Sequence, residues 1–337
     1  MSTYPVESQI VTEFTWDYAD RRPALAKLYE KGKTSQWNAT TDIDWSPEVN
    51  FGEARPQSSD GPGLEGIIGF AGGESPIGRL DDAGRTQFRW EFQSWMVSQF
   101  MHGEQGALVA TARLVETVPD LDAKFYAANQ AADEARHVEA YARYLNEKLR
   151  HSYPISDPLK ALLTDIMSES RWDITYLGMQ IMVEGLALAA FGLGNVMFQD
   201  PIIRQITDYV MRDEARHVAF GVLSLQGLYD DMDSAELADR EEFVMDAAQL
   251  MRDRFLLDDV WERVGIDVQA GKEFALHNPL MGLFRQMLFS KIVPNLNKLG
   301  LLTDRVRPHF EQLGILQLAD LPDSTADADE GLSTGTG

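Results

Sequence analysis

A six-residue motif, Asp-Glu-Ala-Arg-His-Val, occurs twice in this chain, at 133–138 and at 213–218. Both copies stand in stretches with helical periodicity and few helix breakers. Residues three apart lie on the same face of an α-helix, so the Glu and the His of each copy project together. The repeat therefore predicts two helices that each present a carboxylate and an imidazole to a common neighbour.

A further glutamate precedes each motif by the same interval. Glu104 stands thirty residues before Glu134, and Glu184 stands thirty residues before Glu214. The midpoint of each interval falls at a turn, which contains Pro119 in the first half of the repeat. With a rise of about 1.5 Å per residue, the two glutamates of each antiparallel hairpin sit level with one another, roughly 20 Å from the turn.

The two upstream glutamates lie in strongly apolar helical stretches, where a lone carboxylate is costly to bury. Pairing the hairpins places four carboxylates and two imidazoles in one layer, and the four negative charges balance two divalent cations. Two glutamate helices plus two Glu-x-x-His helices are the ligand pattern of di-iron and di-manganese helix bundles. The predicted metal ligands are Glu104, Glu134, His137, Glu184, Glu214 and His217.

Two alternatives remain at this point. One is a metal-free bundle, in which the same acidic groups form internal ion pairs with Arg136 and Arg216. The other is zinc, although carboxylate-rich sites suit iron or manganese better.

Histidine ligands usually donate their second ring N–H to an acceptor that fixes the tautomer. Asp133 and Asp213 are the candidates, and we expect them to cross over, so that Asp133 supports His217 and Asp213 supports His137. Simple surface aspartates are the alternative interpretation. Arg136 and Arg216 are expected to lie in the same outer layer.

The chain is predicted to be one all-α domain over 1–319, followed by a disordered acidic tail over 320–337. Its metal-binding core spans 87–230, with a loop-rich N-terminal wrap over 1–86 and additional helices over 231–319. A long loop over 51–84 is expected to wrap the surface or cover a site, since structureless connections of this length are uncommon. Helices are predicted at 23–31, 87–117, 121–151, 158–169, 171–198, 201–229, 234–255 and 279–299.

Composition excludes several functional classes. There is no cysteine, so thiolate zinc sites, iron–sulfur clusters and cysteine nucleophiles are excluded. A net charge of −23 disfavours nucleic acid and anionic membranes as partners. No signal peptide pattern and no run of eighteen apolar residues is evident, so a cytoplasmic protein is expected.

The doubled Asp-Glu-x-Arg-His signature, with a glutamate thirty residues upstream, resembles the ribonucleotide-reductase-like branch of the ferritin superfamily. That branch includes multicomponent monooxygenase hydroxylases, acyl-carrier-protein desaturases, ribonucleotide reductase small subunits and aminobenzoate-type N-oxygenases. The resemblance covers roughly 87–230 and implies a ferritin-like four-helix bundle with additional helices. It also implies that Glu104, Glu134 and His137 bind one metal and that the other three ligands bind the second, with some glutamates bridging.

Departures from the family patterns bear on the reaction. Val210 replaces the extra histidine of the aminobenzoate N-oxygenases, and Leu188 replaces the threonine of the hydrocarbon hydroxylases. Tyr141 follows the first ligand histidine at the spacing of the small subunit's radical tyrosine, although a core tyrosine is the plainer interpretation. The first carboxylate of that small subunit is commonly aspartate, whereas here it is Glu104.

By this resemblance the protein is a non-haem di-iron oxidoreductase, a monooxygenase or oxidase that reacts with O2 and a small, largely apolar substrate. The cofactor is two Fe ions, with Mn/Fe as the other option, and electrons come from a separate reductase or ferredoxin. A radical-generating subunit and a ferroxidase or iron-storage protein are the alternatives, and a homodimer is expected by analogy. The predicted substrate pocket, beside four glycines of the Glu184 helix, is lined by Phe100, Leu108, Met179, Met182, Leu186, Leu188 and Phe191.

Overall fold

The computed structural model of this chain is helical, and no strand occurs among the residues it describes. The expected loop over 51–84 falls largely outside those residues. The described residues are 3–19, 22–51, 75–198 and 200–325.

From Asp82 onward the helices follow one another with short connections. We number them in chain order and name two π-helical segments π1 and π2. They are α1 (Pro23–Thr34), α2 (Asp82–Thr117), α3 (Leu121–Arg143), π1 (Tyr144–Leu149), α4 (Asp157–Ser168), α5 (Trp172–Tyr176), π2 (Leu177–Val183), α6 (Glu184–Met197), α7 (Pro201–Leu225), α8 (Ser234–Asp253), α9 (Asp258–Arg263), α10 (Val268–His277), α11 (Pro279–Leu288), α12 (Ile292–Lys298) and α13 (Arg307–Gln312), followed by a 3₁₀ helix (Leu316–Asp320).

Two helical hairpins form the core of the molecule. Helices α2 and α3 make the first, and the continuous rod α5–π2–α6 pairs with α7 to make the second. The turns are fixed by aspartate caps: Asp120 accepts from the Ala123 N–H and Asp200 accepts from the Ile202 N–H. These caps satisfy backbone donors that the first helical turn leaves free. The two hairpins pack together as a four-helix bundle, which is the predicted fold class.

Several predicted helix boundaries needed correction. The cap of α4 is Ser156 rather than Asp157, which occupies the first helical position. The single helix predicted over 279–299 is wrong, because it is divided into α11 and α12 by a turn near Ser290. Helices α9, α10 and α13 were not predicted, since they are only 6–10 residues long and show little periodicity of their own.

The remaining helices surround the bundle. Helix α1 lies against α3 and α7, so the segment after it reaches the middle of the bundle. Helices α8 and α12 pack on π2, and α11 packs on α6. The expected disordered tail does not begin at 320, because Ser324 is fully buried and exchanges hydrogen bonds with Asn295. Residues 326–337 lie outside the described part of the chain.

The helical stretch Trp172–Asn195 is long and apolar enough to cross a membrane. Of its most apolar window, however, 78% is buried inside the protein. Neighbouring helices therefore cover this rod, as they cover a core helix of a globular bundle.

Candidate metal centre

All six predicted ligands meet at the centre of the four-helix bundle. Each is at most 5% exposed. Helix α2 supplies one glutamate, α6 supplies one at its first residue, and α3 and α7 each supply a Glu-x-x-His pair. Their ligand atoms form two groups, within each of which all atoms lie within 4.8 Å of one another: Glu104, Glu134, His137 and Glu214, and then Glu134, Glu184 and His217.

Two glutamates lie between the imidazoles. Glu134 is 3.4 Å from the Nδ1 of His137 and 3.0 Å from the Nδ1 of His217. Glu214 is 3.3 Å from the Nδ1 atoms of both histidines. Glu104 contacts His137 alone, at 3.1 Å. The geometry therefore puts Glu134 and Glu214 between the two imidazoles, and the candidate ligand group around His217 contains Glu134 where the family resemblance implied Glu214.

The centre attracts positive charge strongly. Burial and the neighbouring Glu214 carboxylate raise the pKa of Glu104 and of Glu184 well above the ordinary value of 4.5. Burial opposes charge on His137 and His217 as well, but the surrounding carboxylates outweigh it and raise both imidazole pKa values well above 6.5. Divalent cations would neutralise the same buried negative charge, and the ligands would then not need to be protonated.

Unsatisfied ligand atoms show whether the residues fit a metal pair. Glu134, Glu184 and Glu214 have buried oxygens that make no hydrogen bond with the described residues. The Nδ1 of His217 makes none either, although a Glu134 oxygen lies 3.0 Å away. Buried acceptors without partners cost roughly 1–3 kcal/mol each. Because these atoms converge from four helices and are all oxygen or imidazole nitrogen, they fit two ions of the iron or manganese type.

The outer aspartates cross between the helices, as the sequence analysis expects. The Nε2 of His137 lies 3.1 Å from Asp213, and the Nε2 of His217 lies 3.3 Å from Asp133. Each aspartate thus accepts from the imidazole of the opposite motif and leaves the Nδ1 atom facing the centre. This contact fixes the ring orientation and the tautomer that a metal ligand needs.

The motif arginines pair with these aspartates. Arg136 donates to Asp133 at 2.5 Å and to Asp213 at 3.1 Å. Arg216 donates to Asp213 at 2.5 Å. Although burial opposes ionisation, the bonded histidines and the arginines lower the pKa of both aspartates below 3.8. Both aspartates are therefore ionised at neutral pH, and the two arginines compensate their charge.

Three residues that contact the centre were missed by sequence reasoning. Trp37 donates its indole N–H to Asp213 at 2.8 Å, and Gln36 donates to Asp133 at 2.9 Å. Gln130 donates to Glu134 at 3.0 Å and to Glu184 at 2.8 Å. Gln130 could have been found, because it lies one turn before Glu134 on the same helix face. Gln36 and Trp37 arrive from a distant segment and carry no such signal.

A small cavity of about 20 Å³ adjoins the centre. This volume is close to the space that one ordered water molecule needs. Of the predicted pocket residues, Phe100, Leu186 and Phe191 line it, and Leu108, Met179, Met182 and Leu188 do not. Met179 and Met182 belong to π2, whose wider turns depart from α-helical spacing. The cavity is lined by Gln99, Phe100, Gly103, Glu104, Ala107, Val183, Glu184, Leu186, Ala187, Phe191, Glu214 and Arg254.

Tyr141 lies one turn beyond His137 and is fully buried. Its ring is 6.0 Å from that of Phe100 and 6.2 Å from that of Phe191, measured between centroids. Its hydroxyl has no hydrogen-bond partner among the described residues. Burial and the Glu104 carboxylate raise the pKa of Tyr141 well above 10.0, so the phenol stays protonated.

No protein-family model matches this chain, and no curated protein matches it. Solved structures do. A tyrosine-to-phenylalanine mutant of an R2-like ligand-binding oxidase with anaerobically reconstituted Mn/Fe cofactor is 20% identical, over 84% of this chain and 92% of that chain, at a TM-score of 0.43. A valine-to-isoleucine mutant of such an oxidase with aerobically reconstituted Mn/Fe cofactor is 18% identical, over 88% and 94%, at a TM-score of 0.41. By its own helices and the side chains they bring together, this chain is an all-α protein with a ferritin-like four-helix bundle.

Proposed function

We propose that this protein binds two transition-metal ions, an iron pair or a manganese–iron pair, and activates O2 to oxidise a small, largely apolar organic substrate. One observation carries the proposal. Four carboxylates and two imidazoles are buried at the centre of one bundle with their ligand atoms close together, and Glu134, Glu184 and Glu214 each keep a buried oxygen without a hydrogen-bond partner among the described residues. Such a cluster is costly to keep without cations, and its ligand set is that of oxygen-activating carboxylate centres.

A reduced metal pair would supply the electrons and the coordination positions for the reaction with O2. The chain supplies the orientation of its ligands. Asp133 and Asp213 hold the two imidazoles, and Gln130 holds the carboxylates of Glu134 and Glu184 in one orientation. Phe100 and Phe191 form an apolar wall beside the centre, which excludes water and suits an apolar substrate.

The proposal includes an external source of electrons. The sequence contains no flavin or nicotinamide fingerprint, so a separate reductase or ferredoxin is the proposed donor. We also propose a cytoplasmic homodimer, by analogy with other proteins of this architecture.

Metal content tests the proposal directly. The full chain would be loaded anaerobically with Fe(II), or with equal Mn(II) and Fe(II), desalted and measured by plasma mass spectrometry. We expect about two metal ions per chain, lost in the double variant Glu134→Ala/Glu214→Ala. A matched control is Glu139→Ala/Asp208→Ala, which removes exposed carboxylates from the same two helices. Equal metal in the ligand variant and the wild type would refute the site.

Mixing the reduced, loaded protein with O2 in a stopped-flow spectrometer tests the chemistry. We expect a transient visible absorbance that is absent from the ligand variant and retained in the control variant. A protein that holds two metals but consumes no O2 would overturn the oxygenase or oxidase assignment while leaving the metal site intact.

Tyr141 favours a second candidate, a radical-generating subunit, because the buried phenol lies beside Glu104 with an unpartnered hydroxyl. A stable tyrosyl radical after reduction and reoxygenation, seen by electron paramagnetic resonance and lost in Tyr141→Phe, would support this role. No signal in the wild type, or a signal that persists in Tyr141→Phe, would exclude it.

A further inference from the structure

Arg254 is a buried cation without an anionic partner. It follows the last residue of α8 and is only 6% exposed. One guanidinium nitrogen lies 3.9 Å from the sulfur of Met251, the group stacks 5.3 Å from the ring centroid of Phe255, and its Nε has no hydrogen-bond partner. Among the described residues it forms no ion pair. Burial lowers the pKa of Arg254 to about 10, so it is charged at neutral pH.

Other buried arginines of this protein are paired. Arg240 is 4% exposed and binds both oxygens of Asp173, at 2.9 and 3.1 Å. Arg216 is 2% exposed and donates to Asp213. An unpaired buried charge carries a desolvation cost that no contact repays. Arg254 therefore differs from Arg240 and Arg216 because it has no anionic partner within the described chain, which suggests that its partner is a bound molecule.

Arg254 lines the cavity beside the proposed metal centre, together with Glu104, Glu184 and Glu214. Charge counting excludes these glutamates as its partners. The four ligand carboxylates balance two divalent cations, and Asp133 and Asp213 are balanced by Arg136 and Arg216. The positive charge of Arg254 is then the one charge at the cavity that no group of the chain neutralises.

We infer that Arg254 recognises a monocarboxylate ligand in this cavity. The planar guanidinium matches a carboxylate with two parallel hydrogen bonds, and a single positive charge is neutralised by a monoanion. A phosphate dianion would need a second basic side chain, and Arg254 is the only one among the residues that line the cavity. The apolar part of the ligand lies against Phe100, Leu186 and Phe191. Because the cavity is small, ligands larger than a few atoms require these side chains to shift.

This inference rests on the proposed function in two respects: the charge count includes the proposed metal pair, and the bound carboxylate is taken to be the molecule oxidised there. Binding itself is tested independently of the reaction. Isothermal titration would compare acetate, benzoate and octanoate with the matching primary amides, on the metal-loaded full chain and again on the metal-free chain. The variants are Arg254→Met, Arg254→Lys and, as a control on the same helix, Arg252→Met, which changes a more exposed arginine.

We expect at least one carboxylate to bind the wild type tenfold or more tightly than its amide. Arg254→Met should lose that preference, Arg254→Lys should retain part of it, and Arg252→Met should match the wild type within twofold. Carboxylate binding that is unchanged in Arg254→Met and lost on metal removal would overturn the inference, because the ligand would then bind the metal alone. Amides that bind the wild type as well as the carboxylates do would overturn it too.

Thermal unfolding provides a second readout. The carboxylate that binds should raise the unfolding midpoint of the wild type and of Arg252→Met, but not that of Arg254→Met. Without ligand, Arg254→Met should unfold at the same temperature as the wild type or higher, since it removes an unpaired buried charge. A lower midpoint for both Arg254 variants, with no carboxylate effect on the wild type, would show that Arg254 is only a structural cation. Failure to load metal would sink the proposed function and leave the metal-free comparison to decide the role of Arg254.

Discussion

Asp213 connects several parts of the centre. Its carboxylate accepts from the indole of Trp37, faces the Nε2 of His137 and pairs with both Arg136 and Arg216. The pKa of Asp213 is lowered: burial raises it, but the hydrogen bond from His137 and the neighbouring positive charges outweigh burial. One side chain therefore joins the N-terminal segment, α3 and α7 around the imidazole.

Replacing Asp213 by Asn tests this role. The amide keeps the size of the side chain but loses the negative charge that orients His137 and offsets two arginines. We expect metal affinity to fall roughly 10- to 100-fold, the range for losing an outer partner of a metal ligand. Competition with a chelator, followed by metal analysis, measures it. Asp208→Asn, on an exposed face of the same helix, should bind metal like the wild type; an unaltered affinity in Asp213→Asn would contradict the role.

At the scale of the elements, π2 determines how the second hairpin packs. This segment ends at Val183, immediately before the ligand Glu184, and it lies against α4, α8 and α12. The approach is close at Gly178, which belongs to π2. A Cβ atom there would lie 2.5 Å from the Cγ1 of Ile166 and 2.8 Å from the Cζ of Phe243. Close packing therefore accounts for the glycine at position 178.

Gly178→Ala should therefore destabilise the protein by about 1–3 kcal/mol, the usual cost of overpacking a core. Gly282→Ala is the matched control, because a Cβ at that helical position meets nothing within 4 Å. The control should be neutral or stabilising by up to about 1 kcal/mol, since alanine favours helix. Denaturant unfolding of both variants measures the difference. If Gly178→Ala proved as stable as Gly282→Ala, the packing account of π2 would fail.

At the scale of the whole molecule, stability depends on how the buried centre holds its charge. In the metal-free protein, folding raises the pKa of His137, His217, Glu104 and Glu184. Folding thus favours protonated side chains, and this stability is complete below the unfolded pKa values and lost as pH rises towards the folded ones. The lowered pKa values of Glu134, Asp133 and Asp213 act in the opposite direction, but only below about pH 4.5, where those groups protonate in the unfolded chain.

We therefore expect the unfolding midpoint of the metal-free protein to fall by several degrees between roughly pH 6 and roughly pH 8.5, a window that brackets the ordinary histidine pKa. Metal should reverse the trend, because it binds deprotonated ligands and displaces their protons. Calorimetry on chelator-treated and loaded samples provides the measurement, with Glu134→Ala/Glu214→Ala as the variant that should no longer respond to metal. A metal-free midpoint that rose over this window would show that the buried charges are arranged differently.

The additional helices bear on the iron-storage alternative. Helices α8, α11 and α12 cover π2 and α6, so these faces of the bundle are taken up within the chain. We expect sedimentation of the loaded protein to show a small oligomer and iron uptake to stop near two ions per chain. A very large particle, or uptake of many ions per chain, would favour storage.

The sequence by itself determined which six side chains meet at the centre of the bundle. The repeated motif and the equal intervals to Glu104 and Glu184 are local and periodic, and a helix of fixed rise converts such spacing directly into geometry. The crossed contacts of Asp133 and Asp213 follow from the same symmetry. Caps such as Asp120 and Asp200 also act within one turn, so the main hairpins were predictable.

Only the tertiary structure decided the contacts between distant segments. Gln36 and Trp37 lie almost a hundred residues or more from the aspartates that they bind, and no local pattern specifies such a contact. The cavity wall depends on how π2 departs from regular helical spacing and on where the chain after α8 returns to the bundle with Arg254. Local spacing fixes which side chains share a helix face, whereas packing between helices fixes which faces enclose a site.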